Sequence, residues 1–225
     1  MITHRRSSRR NRFRGAASVA ARLLLAWSVL PANAPAWVVA KSNTLAELRG
    51  WTRYVGLQIE YSLLERTVER ELIPVARDQS ATVLAWSPLR SGLLTGKYLP
   101  ENKGAGANEA RLTTEMMKDF ASIDEAGQRT VREVVAVEKE AGVTAAQVAL
   151  AWLRHRSVAV IPIIGARKLT QLEDNLKSLE ITLSPDQLRR LNEVSAVPMG
   201  FPHEFMEAGM VRTFIFGGMR DRIRA

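Results

Sequence analysis

Three apolar, strand-like runs that alternate with helical segments constrain the fold of this chain more than any other feature. The runs cover residues 55–60, 82–86 and 158–164. Each pair is separated by enough residues for a helical crossover, and a strand–helix–strand connection of this kind makes the strands parallel. The third run is apolar throughout, which predicts a strand covered on both faces. The sequence therefore predicts an α/β fold built around a parallel sheet.

Helical segments occupy the stretches between these runs. Hydrophobic periodicity and turn residues place them at residues 44–51, 67–79, 123–140, 144–155 and 170–179. Thr144 and Gln147 form a capping box at the start of the fourth segment, and Ser184 with Gln187 marks one last helix that begins at Pro185. Residues 90–114 show no periodicity and are rich in glycine, so we predict a long loop there, of a length that is often functional.

The number of strands limits the architecture. A (β/α)8 barrel typically needs about 250 residues, and this chain has 225. Three strands cannot close a barrel, because closure links strand number to strand tilt and stagger. The sheet is therefore expected to be open.

The charge of the chain is concentrated at its beginning. The formal net charge is +9, but residues 1–34 contain seven arginines and no acidic residue. The remaining residues carry 25 basic and 23 acidic side chains. Because a nucleic-acid-binding domain usually has a basic face of its own, we predict no nucleic-acid partner for the body, and no membrane partner either.

Residues 1–34 form a leader that differs in composition from the body at 35–225. An arginine-rich start, an apolar stretch and Ala32-Asn33-Ala34 are typical of a secretory or twin-arginine signal, and the lack of acidic residues is also typical of a mitochondrial transit peptide. The other interpretations are an unselected stretch that is disordered or forms a lone helix, and a basic arm for nucleic acid or lipid. The cytoplasm is the predicted compartment unless the leader is a genuine targeting signal.

Cysteine and histidine usage predicts no metal site. The chain has no cysteine, so disulfides and thiolate ligands are excluded. Its three histidines, His4, His155 and His203, are far apart and do not have the spacing of a metal-binding motif.

Four passages together make one family recognisable. They are LQIEYSL at residues 57–63, AWSPL at 85–89 with GLLTGK at 92–97, IPIIGAR at 161–167, and QLEDN at 171–175. In this order and spacing they resemble strands six to eight of an aldo-keto reductase, with the loops that follow them. The resemblance implies that residues 35–225 are the C-terminal part of a TIM barrel, an incomplete one, in an NADP-dependent oxidoreductase that reduces aldehydes or ketones. The tail, residues 200–223, resembles the C-terminal loop of one branch of that family.

The resemblance also implies cofactor contacts at the nicotinamide end. Gln58 is similar to the residue that binds the carboxamide, since an amide both donates and accepts hydrogen bonds, and Asn33 is a further candidate for that group. Tyr61 is similar to the aromatic residue that stacks on the nicotinamide ring. Contacts near the pyrophosphate are implied for the residues after the second strand, which are Trp86, Ser87, Pro88, Leu89, Gly92 and Lys97.

The adenosine end is implied to bind after the third strand. Gly165 and Arg167 stand at the start of a helix, where unpaired N–H groups favour a phosphate. Arg167 suits the 2′-phosphate of NADP. Gln171, Asp174 and Asn175 lie on the helix that follows and are implied to hold the adenine end.

The resemblance does not supply a catalytic residue. Reduction of a carbonyl needs a proton donor, which the family provides from a tyrosine, lysine, aspartate and histidine set on its first four strands. Tyr54 and Tyr98 fit no such set. We therefore expect the cofactor-binding half without the catalytic half, which leaves enzymatic activity open. The alternatives are a non-enzymatic dinucleotide- or partner-binding module that self-associates through open sheet edges, and a non-functional truncation product.

Overall fold

A computed structural model of the protein describes residues 31–100, 123–219 and 222. The first 30 residues of the predicted leader, and the predicted loop beyond residue 100, lie outside this description. Pro31 to Ala34 belong to the folded body, since the N–H of Asn33 donates to the carbonyl of Gln58 at 2.9 Å and Ala32 forms a parallel bridge with Gln58. The body thus begins earlier than the predicted boundary at residue 35.

The described elements alternate as predicted. The strands are β1 (Gly56–Glu60), β2 (Thr82–Trp86) and β3 (Val160–Pro162), and they form a parallel sheet in the order β1-β2-β3. This confirms an α/β fold with a small parallel sheet, as in part of a TIM barrel. The helices are α1 (Ala36–Arg49), α2 (Leu72–Asp78), α3 (Glu125–Ala141), α4 (Ala145–Arg154), α5 (Leu169–Lys177), α6 (Pro185–Val194), α7 (His203–Glu207) and α8 (Gly209–Phe216).

Local signals in the sequence account for the starts of α4 and α6. The hydroxyl of Thr144 accepts from the N–H of Gln147, and the Gln147 side chain accepts from the N–H of Thr144. Ser184 and Gln187 make the same reciprocal pair before α6. Both predicted capping boxes are therefore present.

Three element predictions need correction. The segment predicted as one helix at 67–79 contains a 3-10 turn, Thr67–Glu69, followed by the shorter helix α2. α1 begins eight residues before the predicted helix at 44–51. The tail, for which the resemblance implied a loop, holds α7 and α8. Pro74 does not cause the interruption of the helix predicted at 67–79, because it stands inside the first turn of α2, where its missing N–H is tolerated. The interruption lies before it, between Glu69 and Leu72.

The core lies between one face of the sheet and the helices. Leu57 and Ile59 of β1, and Val83 and Ala85 of β2, are no more than 2% exposed. Every residue of α4 from Ala145 to Leu153 is buried. A helix buried on all sides lies in the interior of its fold, and α4 packs under β3 and between α3 and α5.

The opposite face of the sheet is not covered by a helix of the described residues. Gln58, Leu84 and Ile161 are paired in register and point to this side, and Ile161 is 57% exposed. The prediction that the third strand is covered on both faces is therefore wrong for the described part of the molecule. A run of apolar residues shows that a strand is suited to burial, but it does not show what covers it. We call this side of the sheet the open face.

The described residues contain no helix that is both long and apolar enough to cross a membrane. Within the same ranges, no three His, Cys, Asp or Glu side chains come close enough together to hold a metal ion.

Candidate functional site

A cleft of about 430 Å³ lies beyond the carboxyl ends of β2 and β3. This is the end of a parallel βα-unit at which binding sites form, because the loops that leave adjacent strands converge there. The cleft combines the loop after β2, the segment between β3 and α5, the first turn of α4 and one side of α5. Its lining residues are Ser87, Pro88, Leu89, Ser91, Gly92, Thr95, Lys97, Ala146, Ile163, Ile164, Gly165, Arg167, Gln171, Asp174 and Asn175.

The loop after β2 has an unusual backbone. Ser87, Arg90 and Ser91 all have φ between 46° and 53°, in the left-handed region. Each such residue without glycine's freedom costs on the order of 1 kcal/mol, and several in one loop persist only where surrounding contacts fix them. Buried Leu93 and Leu94 anchor the far end of the loop in the core. The loop is therefore held in a set shape beside the cleft.

Gly92 and Gly96 are the two positions of this loop that need glycine. A Cβ at Gly92, where φ is 90°, would lie 3.3 Å from the Nζ of Lys97. A Cβ at Gly96, where φ is 75°, would lie 2.7 Å from Cγ2 of Val135 on α3. The first glycine lets the Lys97 ammonium group pack over the loop backbone, and that group also lies 4.9 Å from the ring centroid of Tyr98. A positive charge is thus fixed at the wall of the cleft.

The segment before α5 brings a second positive charge. Arg167 is exposed and lines the cleft. The side-chain oxygen of Gln171 accepts from the N–H groups of Arg167 and Lys168, at 2.9 and 3.4 Å. Because this oxygen fixes the backbone at the start of α5, Gln171 orients the residues that carry the charge. Gln171 is itself a lining residue of the cleft.

Asp174 lines the cleft, but its carboxylate also has a structural role. Oδ2 accepts from the hydroxyl of Thr144 at 2.9 Å, and Oδ1 accepts from the side-chain amide of Gln147 at 2.7 Å. These bonds tie α5 to the N-terminus of α4 and satisfy the carboxylate. These neutral donors hold the carboxylate toward α4 without removing its charge, and the two cations of the lining, Lys97 and Arg167, outnumber it.

Gln58 and Trp86 lie outside the lining of the cleft, on the adjoining open face. Side chains of alternate residues point to the same side of a strand, so Gln58 and Glu60 share this face with Leu84 and Trp86, their partners in register. The indole N–H of Trp86 donates to Oδ1 of Asn33 at 3.0 Å. The half-exposed ring of Trp86 is therefore held in a fixed orientation next to two amide side chains.

Glu60 and Arg90 form an ion pair that sequence reasoning did not anticipate. Glu60 stands directly opposite Trp86 in the sheet register. Arg90 belongs to the loop after β2, in which three residues have left-handed φ values. The side chains of Glu60 and Arg90 are 18% and 25% exposed. The alternation of side chains along β1 could have placed Glu60 at the site. Glu60 is two residues after Gln58, so its side chain points to the same side of the sheet.

Tyr61 is not available to a ligand, and its predicted stacking role is wrong. Its side chain is 1% exposed, its ring meets Trp152 edge-on at 5.6 Å, and its hydroxyl donates to Glu69 at 2.7 Å. Burial, together with the charge of Glu69, raises the pKa of Tyr61 well above its ordinary value. Tyr61 stands three residues after Gln58, so the two side chains point to opposite faces of the sheet.

The sequence matches the aldo/keto reductase family model over residues 31–196, a region that contains the strands, the cleft and the open face. The chain belongs to the aldo/keto reductase family. The segments that form the cleft, at residues 87–97 and 163–175, both fall inside this match.

Three curated relatives illustrate the match. An uncharacterized oxidoreductase, YrpG, of Bacillus subtilis is 40% identical over 168 residues, which are 75% of this chain and 48% of the relative. Norsolorinic acid reductase stcV of Emericella nidulans is 30% identical, covering 77% of the chain and 42% of the relative. An aryl-alcohol dehydrogenase [NADP(+)] of Phanerodontia chrysosporium is 30% identical, covering 76% and 44%. The chain thus spans about half the length of these relatives or less.

The family assignment was predicted from the residues that form the cleft. The structure brings ten of the thirteen predicted site residues to its lining, places Gln58 and Trp86 on the adjoining open face, and buries Tyr61. Sequence reasoning missed Ser91, Thr95, Ala146, Ile163 and Ile164. Their side chains carry no distinctive chemistry, and only their position at the ends of β2, β3 and α4 brings them to the cleft.

Proposed function

We propose that the cleft binds NADP(H) and that the chain serves an oxidoreductase of aldehydes and ketones. The observation that carries this is the pairing of Lys97 and Arg167 on the walls of one cleft at the carboxyl ends of parallel strands. Two cations on one cleft suit a dianionic pyrophosphate and a 2′-phosphate. Gly92 supports the fit, because its missing Cβ leaves the loop backbone open beside Lys97.

Each end of the cofactor has residues suited to it. Arg167 would pair with the 2′-phosphate, and Gln171 and Asn175 would face the adenine end. Ser87, Leu89 and Lys97 would line the pyrophosphate, where a short loop allows close backbone approach. Because the ring of Tyr61 is buried, the stacking role passes to Trp86, whose half-exposed indole is oriented by Asn33. Gln58 stands beside it for the carboxamide.

The bound cofactor would supply hydride transfer to a carbonyl carbon. The part of the chain that the structure describes brings one lysine, Lys97, and no tyrosine to the cleft lining. Carbonyl reduction also needs a positioned proton donor. We therefore propose that this chain holds the cofactor, and that the proton donor comes from another polypeptide. The predicted compartment is the cytoplasm.

Replacement of Arg167 by alanine tests the cofactor proposal. We expect NADPH titrated into the wild-type chain to quench tryptophan fluorescence, and Arg167→Ala to raise the dissociation constant for NADPH by about 10- to 100-fold, the value of one charge-assisted phosphate contact. NADH, which has no 2′-phosphate, should bind both proteins with similar affinity. The measurement is a fluorescence titration with each coenzyme at low ionic strength.

Arg129→Ala is the matched control for this titration. Arg129 lies on α3 and pairs with Glu125 at 3.6 Å on the exposed surface, away from the cleft lining. The Arg129→Ala substitution removes one positive charge from the chain, as Arg167→Ala does, but leaves the charges of the cleft unchanged. Equal weakening of NADPH and NADH binding by Arg167→Ala, or equal effects of the two variants on NADPH binding, would contradict the proposed contact.

Self-association is a second candidate function, favoured by the surface beside β3. β3 is the last strand of the described sheet, and Ile161 is exposed on its open face. The helix that follows it in the chain, α5, has three leucines at helical spacing, Leu169, Leu172 and Leu176, and the 3-10 turn at Ser178–Glu180 adds Leu179. These leucines are 37% to 69% exposed. An open parallel edge beside an apolar helix face is suited to pairing with another polypeptide.

We expect the purified chain to form dimers in a concentration-dependent way, and Leu172→Glu/Leu176→Glu to return it to monomers. The carboxylates would have to be buried without partners in a dimer that uses these leucines. Sedimentation equilibrium measures the change. Leu48→Glu, on the 80% exposed leucine of α1, is the control. A monomeric wild-type chain would exclude this candidate, and a chain without a cooperative unfolding transition would favour the truncation product over both functions.

A further inference from the structure

The Glu60–Arg90 pair connects the two halves of the candidate site. Arg90 lies in the loop at residues 87–92, whose other members all line the cleft. Its guanidinium group leaves the cleft and pairs with Glu60 at the end of β1, on the open face. One ion pair thus joins the loop proposed for the pyrophosphate to the strand that lies opposite Trp86.

The pair fixes a loop whose backbone is unfavourable by itself. The N–H of Arg90 donates to the carbonyl of Ser87 at 2.8 Å, and both residues have left-handed φ values near 50°. A partly buried arginine–carboxylate pair is a means of holding such a turn. Without it the loop would keep its core anchor at Leu93 and Leu94 but lose the ion pair to β1.

Glu60 also places a carboxylate next to Trp86. Residues opposite each other in a sheet have neighbouring side chains, and Glu60 is the partner of Trp86 in register. The nicotinamide ring is positively charged when oxidised and neutral when reduced. A carboxylate beside the stacking position therefore favours the oxidised ring, unless a cation such as that of Arg90 compensates it.

We infer that the Glu60–Arg90 pair is a positioning pair that sets the relative affinity of the site for NADPH and NADP⁺. This inference rests on the proposed function, because it takes Trp86 as the stacking residue. With both partners present, their charges compensate each other, and Glu60 does not favour NADP⁺ over NADPH. When the arginine is removed, the carboxylate stabilises the cationic ring. When the carboxylate is removed, the arginine disfavours it.

Calorimetric titration of four proteins with NADPH and with NADP⁺ tests the inference. They are the wild type, Arg90→Ala, Glu60→Gln and the double variant. We expect Arg90→Ala to shift the ratio of the two dissociation constants toward NADP⁺ by about threefold to tenfold, as expected for one partly screened charge. Glu60→Gln, which keeps the volume of the side chain, should shift the ratio in the opposite direction. The double variant should return it to within about twofold of the wild type.

The ratio separates this role from a merely structural one. Loss of loop structure would weaken both coenzymes by the same factor and leave the ratio unchanged, and this result would overturn the inference while the proposed function stands. Binding of neither coenzyme to the wild type would instead overturn the proposed function. Should Arg90→Ala not fold, the opposite shift in Glu60→Gln decides the matter. Arg129→Ala serves again as the control for removal of a positive charge.

Discussion

We expect Trp152→Ala to lower the free energy of unfolding by about 3 to 5 kcal/mol, the range for a large aromatic removed from a core. Trp152 is fully buried in α4, and its indole N–H donates to Oδ1 of Asn192 at 2.9 Å. The guanidinium carbons of Arg66 and Arg156 lie 5.3 and 3.9 Å from its ring centroid. The variant leaves a cavity and two arginines without their aromatic partner, and it removes one of the two donors to the Asn192 amide oxygen, which still accepts from Arg156 at 3.0 Å.

The measurement is equilibrium unfolding in urea, compared at an unchanged m-value. Trp37→Ala is the matched control, since Trp37 lies on α1 and is 67% exposed; its loss should change the free energy of unfolding by less than about 0.5 kcal/mol. A loss of 3 to 5 kcal/mol is a large share of the total stability of a typical domain. Equal midpoints for Trp152→Ala and Trp37→Ala would show that α4 is not the centre of the core.

Local features of the sequence were enough to predict the strands, and the family resemblance predicted most residues of the cleft. The capping boxes at Thr144 and Ser184 depend only on neighbouring residues, and the structure contains both. Lys97 and Arg167 are 70 positions apart in the sequence, and the resemblance to the aldo-keto reductases is what assigned both to one cofactor site. The carboxyl ends of adjacent parallel strands meet at one edge of a sheet, so the loops after β2 and β3 had to converge.

Features that depend on which face a residue occupies were predicted less well. Tyr61 was assigned from its nearness to Gln58 in one motif, although an odd spacing on a strand places it on the opposite face. The structure buries it against Trp152 and Glu69. The open face was missed for a different reason. An apolar run such as residues 158–164 has the composition of a covered strand, and its sequence does not identify a covering partner.

Contacts between distant side chains could not be predicted at all. Arg66 follows β1, but its guanidinium group donates to the carbonyl of Asn192 and the hydroxyl of Ser195, both at 2.8 Å. These partners lie more than 120 positions away, at the end of α6. No periodicity or motif joins the two segments, because only the packing of α6 against the rest of the core brings them together.

We expect Arg66→Ala to lower the free energy of unfolding at pH 7 by about 3 to 5 kcal/mol, as when one partner of a buried ion pair is removed. Arg66 is 8% exposed and binds Glu69 through two hydrogen bonds of 2.8 Å. Its removal leaves the Glu69 carboxylate in the interior with the Tyr61 hydroxyl as a remaining donor. Arg189→Ala is the control, because Arg189 pairs with Asp186 and Glu193 on the exposed surface and should not shift the unfolding midpoint.

The pH dependence of this loss tests its electrostatic cause. Burial by itself raises the pKa of Glu69, but the hydrogen bonds from Arg66 and Tyr61 and the charge of Arg66 outweigh it, so the pKa lies below the ordinary value of 4.5. In the wild type this contribution is therefore complete above pH 4.5 and is lost as the pH falls through the lowered pKa.

In Arg66→Ala the burial of Glu69 persists while its main compensating partner is gone, so its pKa should rise above the ordinary value. The sign then reverses, since an acid with a raised pKa contributes stability at low pH and loses it as the pH increases. Urea unfolding of both proteins between neutral pH and about pH 4, the ordinary range of a glutamate, should thus show the difference in free energy shrinking on acidification. A difference independent of pH would mean that Arg66 stabilises the core by packing over Trp152 and by its hydrogen bonds to Asn192 and Ser195, and not by compensating the charge of Glu69.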